Sequence, residues 1–352
     1  MSADAYHALA VRAVIDETHD AKSLVFDVPE QLAAQFHYRP GQFLTLRIRG
    51  DGRRARRCYS MSSTPGCDDA LRVTIKRVAG GLGSNWLCDS IRAGDTVEVL
   101  PPSGVFTPHS LDQDFLLLAG GSGITPVFSI LRAALARGNA RVCLVYANRD
   151  ERSIIFRETL NDLARAHPER LQIIHWLDSV QGVPTHAQLA QLAMPWRHAQ
   201  AFICGPGPFM DAAVAALEQG GLEREQIHVE RFMSLPDEVD GTLPAEPGSA
   251  SPADSAADHT GTVELEVLLD GAMHTISCGS NETMLDAVLR AGIQAPHSCR
   301  AGMCASCMCQ VVEGAVDLRH NDVLDERDLA KAWTLSCQAV PLGKRVRIKF
   351  PE

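Results

Sequence analysis

Four cysteines in the C-terminal part constrain this chain more than any other feature. Cys299, Cys304 and Cys307 stand in a C-x4-C-x2-C run, and Cys337 follows after 29 further residues. Thiolates are soft, charged ligands, and four of them close two tetrahedral irons bridged by sulfide. The first three lie on one loop of small residues, Ser298-Cys-Arg-Ala-Gly-Met-Cys-Ala-Ser-Cys307. Gly302 and the Ala and Ser positions let the backbone wrap closely, so that its N–H groups can face a cluster's negative charge. The pair Cys304 and Cys307 alone would serve equally as a redox dithiol or half a zinc site. The complete spacing points instead to a [2Fe-2S] cluster. Cys278 and Cys309 fall outside the pattern and read as buried or semi-buried free thiols.

The flanking residues predict a small sheet around that loop. A hairpin should turn at Asp270-Gly271, a helix should run over 282–291 and stop near Gly292, and a last strand should alternate at Val346, Ile348 and Phe350. With the cysteines, this resembles the plant-type ferredoxin domain from about residue 261 to 352, which implies a β-grasp fold.

Upstream, residues 236–259 are rich in Pro, Ala, Ser and Gly and hold six acids with no Lys or Arg. Such a segment buries too little surface to offset its ordering entropy, and we read 234–260 as a flexible linker. It carries −6 of the formal net charge of −10, so charge says little about the folded parts. The overall acidity argues against binding phosphate backbones.

Up to about residue 110 the pattern is of short alternating runs, at 9–15, 23–28, 43–48, 71–78 and 96–100, separated by turn residues. These predict an antiparallel β-barrel over 4–110. Within it, Arg57-Cys58-Tyr59-Ser60 precedes Gly80-Gly81-Leu82-Gly83-Ser84. Arg57 offers a fork for a pyrophosphate and Tyr59 a flat face for a ring system. The second motif reads as a glycine-rich turn whose N–H groups and Ser84 hydroxyl can cradle phosphate. In this order the two resemble the ferredoxin–NADP reductase superfamily. The resemblance implies that Arg57 binds the FAD pyrophosphate, that Tyr59 packs on the isoalloxazine and that Ser60 hydrogen-bonds near N5. Gly83 and Ser84 would complete the phosphate site, and Pro40-Gly41-Gln42-Phe43 would border the flavin.

Over 111–233 buried apolar runs alternate with helical stretches, one of them expected over 151–166, which predicts an α/β domain with a parallel sheet. The run at 115–119 leads into Gly120-Gly121-Ser122-Gly123-Ile124-Thr125-Pro126. Pro126 suits a first helical turn with Thr125 as N-cap, and a strand, glycine loop and helix N-terminus make a dinucleotide phosphate site. The loop matches the superfamily's version, so Gly121, Gly123 and Thr125 become NAD(P)H-binding candidates. By the same resemblance the loop Cys204-Gly205-Pro206-Gly207 places Cys204 near the nicotinamide C4, with Gly205 beside it. After the run at 142–146, Arg149 and Arg152 could clamp a 2′-phosphate, whereas Asp150 and Glu151 would repel it and favour NADH. Phe232 reads either as a shield for the flavin or as a core residue.

A reductase followed by a ferredoxin is the layout of reductase components of bacterial oxygenases. The phrases SNWLCD, YANRDERSIIF and CGPGPFM resemble most the reductases of 3-ketosteroid 9α-hydroxylases. The resemblance implies electron flow from NAD(P)H to FAD, to the cluster, to a separate oxygenase, a Rieske-type steroid hydroxylase first. Reductases of acyl-CoA or aromatic-ring oxygenases, phenylacetyl-CoA epoxidase among them, share the layout, and a redox sensor without turnover is the alternative outside catalysis. The first seven residues lack the basic and apolar regions of a secretory signal, so a cytoplasmic protein is expected, monomeric by itself, with no membrane or nucleic-acid partner.

Overall fold

The computed structural model describes residues 6–50, 53–232, 262–324 and 326–351. The segment read as a linker lies outside the described residues. The described chain forms two compact units, one of residues 6–50 and 57–232, the other of 53–56 and everything from 262 onward.

The first unit opens with six strands, β1 (His7–Thr18), β2 (Ala21–Asp27), β3 (Phe43–Gly50), β4 (Arg53–Ser60, of which residues 57–60 belong to this unit), β5 (Leu71–Lys76) and β6 (Thr96–Val99). Their order is β4-β3-β6-β1-β2-β5. A bridge between Met61, just past β4, and Val73 of β5 joins the two edges and closes the barrel. Alternation in β5 buries Leu71, Val73 and Ile75 as expected, but Thr74 is buried too. Its hydroxyl is 2.7 Å from both Ser23 Oγ and Ser62 Oγ, so the second face of the strand is satisfied by hydroxyls rather than by water. Two elements differ from the sequence reading. β4 has an arginine-rich start with no apolar alternation, so its pairing shows only in the fold. The Gly80-Gly81 turn runs straight into a helix, α1 (Leu82–Ser90), rather than into another strand.

The same unit continues into five parallel strands, β7 (Phe115–Gly120), β8 (Val142–Asn148), β9 (Leu171–Leu177), β10 (Gln200–Cys204) and β11 (Ile227–Glu230). Their order is β11-β10-β7-β8-β9. Every residue of β7 and β8 is buried, as a strand covered on both faces requires. The helices are α2 (Ile124–Arg137), α3 (Arg157–Ala166), α4 (Asp178–Gln181), α5 (His186–Ala193) and α6 (Gly207–Gln219). The helix expected over 151–166 starts only at Arg157. Residues Glu151–Ser153 form a separate 3-10 turn, and Phe156 takes a left-handed φ of 62° that lets its ring stack on Phe128 at 4.3 Å. Barrel and α/β domain meet through polar contacts. Ser129 Oγ donates to Ser63 O at 2.6 Å, and Arg132 grips both oxygens of Asp68.

The second unit contains β12 (Thr262–Leu269), β13 (Ala272–Gly279), α7 (Met284–Arg290), β14 (Met308–Leu318), α8 (Glu326–Ala330), β15 (Trp333–Leu335) and β16 (Ala339–Lys349). The order is β13-β12-β16-β14-β15, with β12 and β16 parallel. Asp270 at φ 49° and Gly271 at φ 77° make the hairpin turn that their types favour. Thr283 caps α7 by accepting from Asp286 N. Val346, Ile348 and Phe350 are buried, as are Cys278 and Cys309.

Candidate functional site

The loop that carries three of the four cysteines is wound by left-handed residues. Arg300, Gly302 and Ala305 have φ of 54°, 75° and 53°. At Gly302 a side chain is excluded, since a Cβ would come 2.7 Å from His320 O. This winding turns N–H groups onto sulfur: Ala301 N and Met303 N reach Cys299 Sγ at 3.4 and 3.5 Å, and Cys299 N reaches Cys304 Sγ at 3.5 Å. The segment before Cys337 is tied to the same loop, because Ser336 N and Oγ both donate to Cys307 O at 3.0 Å. The thiols meet as two pairs. Cys304 beside Cys299 lowers the Cys299 pKa, with the loop N–H groups adding to the effect. Cys307 beside Cys337 lowers that of Cys337, which also receives the Gly302 N–H. One pair for each iron is the arrangement a binuclear cluster takes, and thiolate-favouring N–H groups suit its charge. Among the described residues no three His, Cys, Asp or Glu side chains gather as a site for a single ion. Met303, on the same loop, is 8% exposed. Arg300 is half-buried and ion-paired with Asp286.

In the barrel, strand alternation puts Arg57 and Tyr59 on one face of β4 and Ser60 on the other. Arg57 lies across the start of α1. A Cβ on Gly83 would stand 2.9 Å from Arg57 Cγ and 2.6 Å from Ile48 Cδ1. Only glycine lets the guanidinium stem and the first turn of α1 approach so closely. No side chain caps α1 at Gly81, and the leading N–H groups of a helix have no intrahelical partner, as an anion site needs. Ser84 Oγ accepts from Val78 N at 3.1 Å and so also closes the turn before the helix. Tyr59 is largely desolvated, which pushes its phenol up, and it packs against the edge of the barrel core. Ser60 is buried, and the next residue, Met61, donates its N–H to Gln42 O at 2.9 Å. The Gly41-Gln42 segment therefore borders the end of β4.

The two glycine loops of the α/β domain converge at the C-terminal ends of the adjacent strands β7 and β10, where the strand order reverses. Gly123 is pressed against Cys204: a Cβ there would be 2.0 Å from Cys204 O. Gly205 packs likewise on Gly120: a Cβ there would be 3.0 Å from Gly120 N. α2 is capped by Gly123, not by Thr125, because the 3-10 turn Gly121–Gly123 passes directly into the helix. Thr125 is in the first turn and its Oγ1 donates to Ser122 O at 3.1 Å, while Pro126 keeps its expected place. Arg149 is paired with Asp20 of the barrel at 2.9 Å, and Lys76 Nζ stands 3.8 Å from the same oxygen. Asp150 accepts from Ser153 N and Oγ, which holds its carboxyl below the usual range.

Cys204 is fully buried, and burial pushes its thiol well up, with Glu230 adding to the rise. It is not the electropositive setting of a nucleophilic cysteine. Glu230, which the sequence reading passed over, lies opposite Cys204 in the β10–β11 register. Desolvation pushes its carboxyl up to about 8. Glu230 closes the edge strand β11, in which only Ile227 is buried, so the sequence carries no burial pattern that marks it. Phe232 is 44% exposed and so is not a core residue.

Three family models match in succession: an oxidoreductase FAD-binding domain at residues 8–107, an oxidoreductase NAD-binding domain at 117–215, and a 2Fe-2S iron-sulfur cluster binding domain at 267–342. The ferredoxin reductase component of 3-ketosteroid-9-alpha-monooxygenase from Rhodococcus rhodochrous is 51% identical over 344 residues, 97% of this chain and 96% of that one. The chain belongs to the family of flavin- and [2Fe-2S]-dependent oxygenase reductases. Another family member, a component of 1,2-phenylacetyl-CoA epoxidase from Escherichia coli, is 36% identical over 363 residues and 98% of each chain. The solved structure of phthalate dioxygenase reductase shares the fold, with TM-score 0.58 and 21% identity over 99% of this chain and 100% of that one. As an oxygenase-family reductase the protein is an NAD(P)H oxidoreductase with FAD-binding, NAD-binding and [2Fe-2S] domains. No helix among the described residues is long and apolar enough to cross a membrane.

Proposed function

We propose that this reductase passes electrons from NADH to a separate oxygenase component, and that the oxygenase is a steroid hydroxylase of the 3-ketosteroid 9α type. The observation that carries this reading is the 51% identity to such a component, which extends over all three domains. FAD, once bound, supplies the conversion of a two-electron donor to a one-electron acceptor. Arg57 and the α1 N-terminus, with Gly83 and Ser84, would hold its pyrophosphate. Tyr59 would lie on the ring and Ser60 beside N5. Gly121, Gly123, Thr125 and Gly205 would shape the nicotinamide nucleotide site and bring the ring against Cys204. Cys299, Cys304, Cys307 and Cys337 would hold the cluster. The domains would run over 4–110, 111–233 and 261–352, with 234–260 as a linker.

NADH is favoured over NADPH by the end of β8. The charge of Arg149 is answered by Asp20, and ionised Asp150 would repel a 2′-phosphate. We expect kcat/KM for NADH to exceed that for NADPH about tenfold; the reverse ratio would remove this part of the reading. The protein would be monomeric and cytoplasmic. Reconstitution tests the partner. With a 3-ketosteroid 9α-hydroxylase oxygenase, NADH should drive steroid hydroxylation only when both proteins are present. Hydroxylation by this chain alone, or transfer only to a phenylacetyl-CoA epoxidase oxygenase, would contradict it.

A further inference from the structure

Ser306 is not a ligand, yet its side chain meets one. Its Oγ lies 3.3 Å from Cys304 Sγ, and the residue is 6% exposed. With Cys304 as a free thiol, the S–H donates to the hydroxyl. A thiolate bound to iron has no proton, so in the loaded protein the direction must reverse and the hydroxyl donates to sulfur. The backbone is bent in a way that permits this contact. Ala305, between the two residues, sits at φ 53°, in the left-handed region that alanine seldom adopts. The N–H groups of Ala301 and Met303 go to Cys299 instead, and Cys304 receives that of Cys299. In the loaded protein the Ser306 hydroxyl hydrogen, buried beside the deprotonated sulfur, would have Cys304 as its acceptor.

A hydrogen bond to a ligand sulfur draws charge from it and so favours the reduced cluster, which carries one more electron than the oxidised one. We propose that Ser306 is a tuning residue that raises the reduction potential of the [2Fe-2S] cluster by donating its hydroxyl hydrogen to Cys304. The step it governs is the arrival of a single electron from the flavin, in which no bond forms or breaks at Ser306. By raising the potential, the bond makes that arrival more favourable and delivery to the acceptor less so. The proposal rests on the cluster and not on which oxygenase receives its electrons.

The test is an EPR-monitored redox titration of full-length Ser306→Ala, Ser306→Thr and Ser306→Val, each with its cluster content measured. Ser306→Ala and Ser306→Val should titrate at more negative potential by a three- to tenfold change in the one-electron equilibrium, at most about 59 mV. Ser306→Thr, which keeps the hydroxyl, should stay near the parent value. Threonine and valine are nearly equal in size, so equal potentials for these two variants overturn the proposal. A parent-like potential in a fully loaded Ser306→Ala protein does the same. If Ser306→Ala fails to assemble a cluster, the Thr and Val pair decides alone.

Discussion

Glu230 and Cys204 face each other at the ends of two parallel strands, each held neutral by burial. For the acid this has a consequence in pH. The folded-state pKa of about 8 stands above the ordinary 4.5. Between those values the native state keeps a proton that the unfolded chain releases. Stability from this group is therefore present at low pH and lost as pH rises toward 8. Glu230→Gln is neutral throughout. We expect it to melt with the parent at pH 4.5 and above it at pH 8, by a margin of order 1–3 kcal/mol. Thermal unfolding of the FAD-loaded proteins across that range checks it, and parallel curves would refute the assignment. The same residue shows why some of the site escaped a reading of the sequence. Within Ile227-His228-Val229-Glu230 nothing marks the acid as special until strand register sets it against Cys204.

Among elements, β4 and α1 carry the most weight, and both departed from the sequence expectation. β4 supplies Arg57, Tyr59 and Ser60, but its basic start lacks the alternation by which half-buried strands are recognised. The glycine motif after β5 was legible as a turn with phosphate-binding potential. That the turn opens a helix, and that Arg57 lies over its first turn at Gly83, follows from the packing of Ile48 and Arg57 against it. Gly83→Ala should therefore disturb the flavin site without disturbing the cluster. We expect FAD retention to weaken at least about tenfold, equivalent to ~1.4 kcal/mol, with the cluster's visible absorption retained. Flavin affinity equal to that of the parent would mean that α1 does not bear on the cofactor.

Over the whole molecule, barrel and α/β domain share one unit, clasped by Ser129 on Ser63 and Arg132 on Asp68, while the ferredoxin part has its own core from Val263 to Phe350. A unit with its own core folds without help from another. Replacing Cys337 by Ser should abolish the cluster and electron delivery. It should leave NADH reduction of the flavin within about twofold of the parent, since ~0.4 kcal/mol is within the usual scatter of distant substitutions. Stopped-flow bleaching of the flavin, with iron content measured alongside, distinguishes the two effects. Loss of flavin reduction in this variant would mean that the units depend on each other.

Cofactor identity was readable from the sequence because its determinants are local. Cysteine spacing on one loop, a glycine turn after a strand and Thr125-Pro126 in a first helical turn each describe backbone shape over a few residues, and backbone shape is written in residue type. Amphipathic strands and helices were legible for the same reason, and where Phe156 or Gly123 broke a helix start, a single φ value or a continuing 3-10 turn displaced the boundary. Tertiary structure decided the pairings. Cys307 with Cys337, Cys204 with Glu230, Gly83 with Arg57 and Asp20 with Arg149 all join residues far apart in the chain. Such contacts depend on strand register and on which faces are buried together. These are properties of the whole packed sheet, and no short stretch of sequence contains them.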